Sequence, residues 1–183
     1  MDSAHPVINW GNLTRSLDHY TRLGFMYLEV PWIVPSEITH ATFHGRDNGF
    51  VTDYGDLVGS AEQSFLYLHT VGKLPPGRYC ALTPCFRNEP ILDTLHQQYF
   101  MKLELIQTDV VSSFELMNLV SECAGWFNDL IGDGTKIIAT PEGFDITYHD
   151  IELGSYGIRA HNGFRWIFAT GIAEPRFSQA VGK

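Results

Sequence analysis

The sequence has little positive charge and no long apolar run, and each shortage excludes a class of protein. Lysine and arginine together number 12 against 21 aspartates and glutamates, which gives a formal net charge of −9. This balance argues against a broad basic surface for nucleic acid, because such binding depends on neutralising phosphates. No stretch approaches the ~20 apolar residues that cross a bilayer, so we expect no membrane partner.

Cysteine is also scarce. Three cysteines, an odd number without a recognisable signal peptide, fit a reducing compartment better than a disulfide framework, so we expect a cytoplasmic location. Cys80 and Cys85 have the spacing of half a zinc site. Because no second pair of cysteines or histidines follows at ligand spacing, we interpret both as small apolar residues of a strand.

The chain does contain enough apolar residues for one hydrophobic core. Its 183 residues are 44% hydrophobic and 18% charged, which is typical of a soluble globular protein. This length predicts a single domain that covers residues 1–183.

Residues 79–104 predict two short strands joined by a long hydrophilic loop. Side chains alternate between the two faces of a strand, so Arg87 and Glu89 should share a face. Phe100, Lys102 and Glu104 should likewise share a face on the second strand. Charged groups and an aromatic ring on one hydrated face are typical of a site for an anion and a flat ring.

A first helix is indicated by apolar residues at helical spacing, namely Leu13, Leu17, Tyr20 and Leu23. We expect Asn12 or Thr14 to cap this helix and Gly24 to end it. Residues 25–30 follow as a β-rich run that Pro31 closes.

Residues 36–58 are rich in glycine, histidine, aspartate and threonine, and they predict short strands between turns. His40 and His44 lie four residues apart, a spacing that suits a metal only on a helix. Because residues 47–49 make a helix improbable here, we interpret both histidines as surface or structural residues.

Further along, Ser60 predicts a helix N-cap, and Gln63 completes a capping box with it. Ser112 predicts the start of a long helix with a broad apolar stripe. Residues 144–153 and 164–170 read as two further strands.

Six residues of the 79–104 segment form an ordered pattern: Phe86, Arg87, Glu89, His96, Phe100 and Glu104. This pattern resembles motif 2 of class II aminoacyl-tRNA synthetases, and its residues are similar to those of the seryl-type enzymes. The Gly-Phe, Glu-Val and Pro of residues 24–31 resemble motif 1, which builds the dimer interface in that family. Family members usually carry proline where this chain has Ile33, so the resemblance does not fix the geometry of a dimer.

Three later segments extend the resemblance. The Ser60-Ala61-Glu62 segment is similar to the Thr-x-Glu loop of seryl-, threonyl- and prolyl-type enzymes, which binds the substrate's α-ammonium group. The strand after residue 150, with Glu152, resembles the phenylalanyl-type strand whose glutamate helps to hold Mg²⁺. Residues 171–176, read as opening a helix, resemble motif 3, which binds the nucleotide.

The resemblance implies an α+β fold, an antiparallel β-sheet flanked by helices, and a ligase that makes an aminoacyl-adenylate from ATP with Mg²⁺. Arg87 and Arg176 would be the catalytic residues. The implied ATP-binding residues are Arg87, Glu89, His96, Phe100, Gly171 and Arg176. The implied amino-acid-binding residues are Ser60, Glu62, Glu104, Gly154 and Ser155. Glu152, with Glu104 as a helper, would place the Mg²⁺ ion.

The acceptor of the aminoacyl group stays open. The sequence contains no recognisable anticodon-binding domain, coiled-coil arm or basic extension, so we expect a stand-alone core that charges tRNA, a carrier protein or a small molecule. Motif 1 implies a homodimer. The competing hypothesis is a non-catalytic relative that senses an amino acid or binds a partner protein.

Overall fold

The fold is given by a computed structural model, which describes residues 7–43, 49–93 and 95–182. In these residues the helices are α1 (Trp10–Arg22), α2 (Ser36–Phe43), α3 (Ala61–Thr70), α4 (Ser113–Ile131) and α5 (Arg176–Val181). The strands are β1 (Met26–Tyr27), β2 (Ile33–Val34), β3 (Phe50–Thr52), β4 (Gly55–Leu57), β5 (Arg78–Phe86), β6 (Tyr99–Gln107), β7 (Lys136–Thr140), β8 (Gly143–Tyr148), β9 (Ile151–His161) and β10 (Phe164–Glu174).

Seven strands form the central sheet, in the order β1-β5-β6-β10-β9-β8-β7. Strand β1 pairs parallel with β5, and the remaining neighbours pair antiparallel. A small sheet of order β2-β4-β3 lies apart from it. The expected α+β fold, an antiparallel sheet flanked by helices, is confirmed.

The two faces of the central sheet bury different clusters, because alternate residues of each strand point to opposite faces. Leu103 and Leu105 of β6 belong to a cluster that includes buried side chains of α1, α4 and α5. Ile106, the next residue, belongs to the second cluster, which includes residues of α2 and α3. The even-numbered residues of β6 therefore point to the side of the sheet on which α3 lies.

The local signals at several helix ends are confirmed. Ser60 caps α3 by accepting from the Glu62 backbone N–H, and Ser112 caps α4 by accepting from that of Glu115. Gln63 does not form the predicted capping box with Ser60. Its Oε1 accepts instead from the backbone N–H of Gly59, at 2.8 Å. Gly24 follows α1 with φ +90°, a conformation that glycine adopts at little cost.

The predicted N-cap of α1 is wrong. Asn9 caps this helix, and its side chain accepts from the Asn12 backbone N–H at 3.2 Å. Asn12 is instead buried, and its amide donates to Glu174 Oε1 at 2.7 Å. Asn12, although asparagine favours helix caps, therefore contacts a residue 162 positions away in the sequence.

The prediction of only short strands in residues 36–58 is also wrong, since α2 occupies Ser36–Phe43. Its first turn carries Glu37, which suits a helix N-terminus. His40 lies exposed on this helix. His44 and residues 47–48 lie outside the described residues.

The single strand predicted over residues 144–153 is two strands. His149 and Asp150 have φ of 48° and 60°, which makes a two-residue hairpin turn between β8 and β9. Neither residue is glycine, so the turn signal was weak in the sequence. Strand β1 is likewise shorter than the run expected over residues 25–30.

Among the described residues, no helix combines the length and apolar character needed to cross a membrane. The three cysteines are free and buried. Cys80 and Cys85 are an odd number of residues apart on β5, so their side chains point to opposite faces of the strand and cannot share a metal ion.

The cysteines allow a first prediction. Burial raises the pKa of Cys80 and Cys123 to about 12 and that of Cys85 to about 11. Roughly one thiol in a thousand or fewer is then ionised at pH 8, and the thiolate is the reactive form. We expect the native protein to resist a disulfide thiol reagent at pH 8 and to label fully in guanidinium. Rapid labelling of any native thiol would contradict this burial.

Candidate active site

A cavity of about 470 Å³ opens on the α3 side of the central sheet, where β5, β6, β9 and β10 come together. Its walls carry many charged groups. The carboxylates are Glu62, Glu89, Glu104, Glu142 and Glu152. The cations are Arg87, Lys102, Arg159 and Arg176. Such a lining suits a ligand that bears several charges of both signs.

Arg87 stands just beyond β5, at the mouth of the β5–β6 hairpin. Its backbone N–H donates to the Gln98 carbonyl at 2.9 Å, which prolongs the strand pairing past Phe86. Its side-chain Nε donates to the Gly59 carbonyl at 3.3 Å, and its guanidinium lies 5.1 Å from the centre of the Phe100 ring. These contacts orient the guanidinium towards the cavity and bring cation and ring together, as the sequence predicted.

Arg176 enters the cavity from the first residue of α5. Its Nη1 lies 3.0 Å from Glu152 Oε1 on β9. Both side chains remain partly exposed, so the pair can exchange for other partners at small cost. The two arginines thus reach the cavity from distant parts of the chain.

Glu104 is the most deeply buried of the cavity's central acids, with a relative exposure of 1%. Its Oε2 accepts from the Ser60 hydroxyl at 2.6 Å and lies 2.7 Å from Lys102 Nζ. Its Oε1 is buried and has no hydrogen-bond partner within the described part of the chain. Buried carboxylate oxygens are nearly always satisfied, so this oxygen keeps an unused capacity to accept a hydrogen bond.

Glu62, which the Thr-x-Glu resemblance assigns to the amino acid, lines the cavity and also contacts two protein groups. Trp166 Nε1 donates to its Oε1 at 2.7 Å, and Arg159 Nη1 lies 2.5 Å from its Oε2. Burial raises the pKa of the Glu62 carboxyl, although the Arg159 guanidinium acts to lower it. Each Glu62 oxygen thus has a protein partner that anchors the start of α3, whereas Glu104 Oε1 has none among the described residues.

Arg159 closes the end of the cavity near β9. Besides Glu62, it bonds Glu142 through Nη2 at 3.0 Å, and its guanidinium lies 4.1 Å from the centre of the Phe168 ring. Glu142 is exposed on the turn between β7 and β8, so this second pair is weaker than the buried one.

His96 lies in a small adjoining cavity rather than in the main one. It shares that side cavity with Arg87, Phe100 and Arg176. Its Nδ1 lies 3.0 Å from the Asp93 carboxylate, and hydrogen bonds from His96 lower the pKa of Asp93. The loop therefore holds His96 beside two arginines and an aromatic ring. Glu89 lines both cavities.

The small residues expected at the site, two glycines and two serines, separate into two groups. Gly154 and Ser155 of β9 line the main cavity, as does Ser60. Gly171 lies inside β10, not at a helix start, and it does not line either cavity. A Cβ there would lie 2.9 Å from a Tyr20 ring carbon and 3.1 Å from the Leu103 carbonyl, so the glycine permits close packing of α1 against the sheet.

The carboxylates of the cavity suit Mg²⁺ only in part. Glu152 is half-exposed, and Asp145 lies near enough that Glu152 contributes to raising its pKa, after burial. Within the described ranges no group of three or more acids, histidines or cysteines is arranged to hold a metal. Mg²⁺ in nucleotide sites commonly takes one or two carboxylates plus phosphate and water, and these residues fit that pattern.

Two cations of the cavity, Lys102 and Arg159, had received no role from the sequence. Lys102 was placed on the right face, and its alternation with Phe100 and Glu104 was the available signal. Arg159 follows Glu152 on β9, and nothing in its local sequence indicated that it would reach the start of α3.

Comparison with known proteins gives a family and a set of similar folds. The family described as "tRNA synthetases class II core domain (F)" matches residues 21–183. PylSc from Desulfitobacterium hafniense, a pyrrolysyl tRNA synthetase, aligns with a TM-score of 0.76 at 16% identity, over 97% of this chain and 70% of that one. A second structure of the pyrrolysyl-tRNA synthetase from this organism gives 0.72 at 17% identity, over 98% and 71%.

The cytoplasmic serine-tRNA ligase from Naegleria fowleri, solved with AMP, gives a TM-score of 0.69 at 17% identity, over 93% of this chain and 52% of that one. At such low identities the structural likeness concerns the fold. A search of curated protein sequences returns no match.

The Glu62–Arg159 pair yields a prediction about stability. Arg159→Met leaves Glu62 buried without its cation, and we expect a loss of about 3 kcal/mol in the free energy of unfolding at pH 8. Urea denaturation followed by tryptophan fluorescence measures this loss. The double variant Glu62→Gln/Arg159→Met removes the stranded charge and should recover most of the stability.

The loss of stability in Arg159→Met should depend on pH. The pKa of Glu62 is raised in the folded state, so the stability linked to its protonation is present at low pH and is lost as pH rises through the folded pKa. The deficit of Arg159→Met should therefore be smaller at pH 5 than at pH 8. An equal deficit at both values would contradict a raised pKa.

Proposed function

The chain belongs to the tRNA synthetases class II core domain (F) family, and from that premise we propose that it activates an amino acid with ATP. The observation that carries the proposal is the single cavity in which Arg87, Phe100 and Arg176 meet a deeply buried acid with a free oxygen, Glu104. A ring, two guanidiniums and a buried acceptor match adenine, phosphates and an ammonium group.

In the proposed reaction, the substrate's carboxylate oxygen attacks the α-phosphorus of ATP. A new C–O–P linkage forms, the bond to the β-phosphate oxygen breaks, and pyrophosphate leaves. The nucleophile is already ionised at neutral pH, so no general base is needed. The protein contributes orientation and charge neutralisation.

Arg87 bridges the α-phosphate and the amino-acid carboxylate, because its planar fork can bond two oxygens at once. Phe100 stacks on one face of adenine and Arg176 covers the other, while Glu89 accepts from the adenine amino group. His96 reaches the outer phosphates from its side cavity. Gly171 does not contact the nucleotide. It supports the site by letting α1 pack closely against β10, the strand that leads to Arg176.

The amino acid occupies the end of the cavity at Ser60 and Glu104, with Gly154 and Ser155 as the β9 wall. The substrate's ammonium group donates to Glu104 Oε1. Glu62 supports this subsite from behind through the start of α3.

Glu152, with Glu104 as a helper, would hold Mg²⁺. The ion supplies charge neutralisation on the phosphates. The Glu152–Arg176 bond would have to open for Glu152 to hold the ion and for Arg176 to meet the nucleotide. The partial exposure of both side chains supports such an exchange.

The activated aminoacyl group passes to tRNA, or to a carrier protein or small molecule. The formal net charge of −9 favours an acceptor that does not require a broad basic surface. A cytoplasmic location fits the three free cysteines.

A second candidate is a non-catalytic subunit that binds an amino acid or a partner. The Arg176–Glu152 bond favours it, because that bond occupies a guanidinium assigned to the phosphates. The two candidates differ in whether pyrophosphate exchange occurs.

ATP–pyrophosphate exchange across the twenty amino acids tests the proposal. We expect exchange with one or a few amino acids and a fall of about 100-fold or more in Arg87→Ala, because one preorganised transition-state donor is lost. Arg87→Lys should recover little, since an ammonium cannot form the fork. Arg22→Ala removes an exposed arginine of α1 and serves as the matched control. ATP binding without exchange for any amino acid would favour the non-catalytic subunit.

The motif 1 segment supports a homodimer. Met26, Tyr27, Trp32 and Ile33 are large apolar residues left exposed within one short segment, a feature typical of interaction surfaces. We expect sedimentation equilibrium to give a dimer and the double variant Met26→Glu/Trp32→Glu to give a monomer. Ile138→Glu, an equally exposed site on the opposite edge of the sheet, should remain dimeric. A wild-type monomer at high concentration would exclude this dimer.

A further inference from the structure

Lys102 is the one cation of the cavity's β6 wall, and the proposed activation step has not used it. Phe100, Lys102 and Glu104 alternate along β6 and all line the main cavity. Residues two apart on a strand are about 7 Å apart, so the three side chains form a row about 14 Å long. The lysine stands in the middle of that row.

The surroundings of Lys102 hold its ammonium group in place and leave some of its N–H donors without a partner in the described part of the chain. Its side chain is only 12% exposed, and Nζ lies 2.7 Å from Glu104 Oε2. An ammonium has three N–H donors, and in the described part of the chain Glu104 is the one carboxylate within ion-pair distance. Two donors therefore remain for a ligand in the cavity.

The order of the row gives the lysine its place in the reaction. Phe100 marks the adenine end, and Glu104 with Ser60 marks the amino-acid end. The bond that forms joins the amino-acid carboxylate to the α-phosphorus, so it lies between these two ends. Lys102 lines the main cavity and not the side cavity of His96, which places it away from the outer phosphates.

We propose that Lys102 is a catalytic residue of the activation step, in contact with a non-bridging oxygen of the α-phosphate. This inference rests on the proposed function. As the carboxylate oxygen bonds to phosphorus and pyrophosphate departs, negative charge grows on the non-bridging oxygens, and the ammonium stabilises it without transferring a proton. Glu104 is the positioning residue that holds Nζ in place.

The competing explanation is that Lys102 only neutralises the buried Glu104 carboxylate. The variant Lys102→Met alone cannot decide, because it strands that charge and reduces stability. The comparison is therefore made in a Glu104→Gln background, where removing Lys102 strands no carboxylate. The new amide keeps an oxygen that can accept from Nζ, so the lysine retains a positioning partner. Lys73→Met, a change on the exposed turn after α3, is the matched control.

The first measurement is ATP–pyrophosphate exchange. Relative to Glu104→Gln, the double variant Lys102→Met/Glu104→Gln should lose about 100-fold in kcat, with a much smaller change in the KM for ATP. In the wild-type background, Lys102→Arg should recover part of the rate, and Lys73→Met should match the wild type. A double variant within about threefold of Glu104→Gln in kcat would overturn the proposal.

The second measurement is the binding of AMP and of adenosine by calorimetry, which needs no turnover. The preference for AMP reports contacts to the α-phosphate, and it should fall about tenfold when Lys102 is removed from the Glu104→Gln background. An unchanged preference would overturn the contact. If the wild type exchanges pyrophosphate with no amino acid, the proposed function fails, and this measurement still decides whether Lys102 meets the α-phosphate.

Discussion

The pairing of β5 with β6 is the constraint on which the cavity depends. Nine consecutive pairs, from Arg78 opposite Gln107 to Phe86 opposite Tyr99, run without a register shift. The apolar residues Leu103 and Leu105 must face the core, and this places Lys102 and Glu104 on the other face. A slip by one residue would bury both charges in the core and expose the leucines, so hydrophobic burial holds the polar row in place.

Charge pairing is the second organising feature of the site. Lys102 bonds Glu104, Arg159 bonds Glu62, and Arg176 bonds Glu152. The first two pairs are buried and fix the walls, because separating a buried pair leaves an uncompensated charge. The third pair is partly exposed and can exchange for a ligand. One cavity thus combines a rigid end at Glu62 and Glu104 with an adaptable end at Arg176.

How far the sequence predicted the site depended on the range of the interaction. Arg87, Phe100 and Glu104 come from one hairpin, where strand alternation alone gives their common face, and all three line the cavity. Trp166 and Arg159, about 100 residues away in sequence, contact the oxygens of Glu62, and no local signal predicted these partners. The helix over Ser36–Phe43 and the turn at His149 were missed because their local signals are weak and tertiary packing overrides them.

The sequence by itself determined the family, the order of the motifs and the face on which each strand residue lies, because spacing and alternation are local properties of the chain. Only the tertiary structure decided which acid keeps an oxygen without a partner and that Arg159 reaches Glu62 at the start of α3. The physical reason is that hydrogen-bond capacity is finite: whether Glu62 or Glu104 is available to a ligand depends on which donors the fold brings to each.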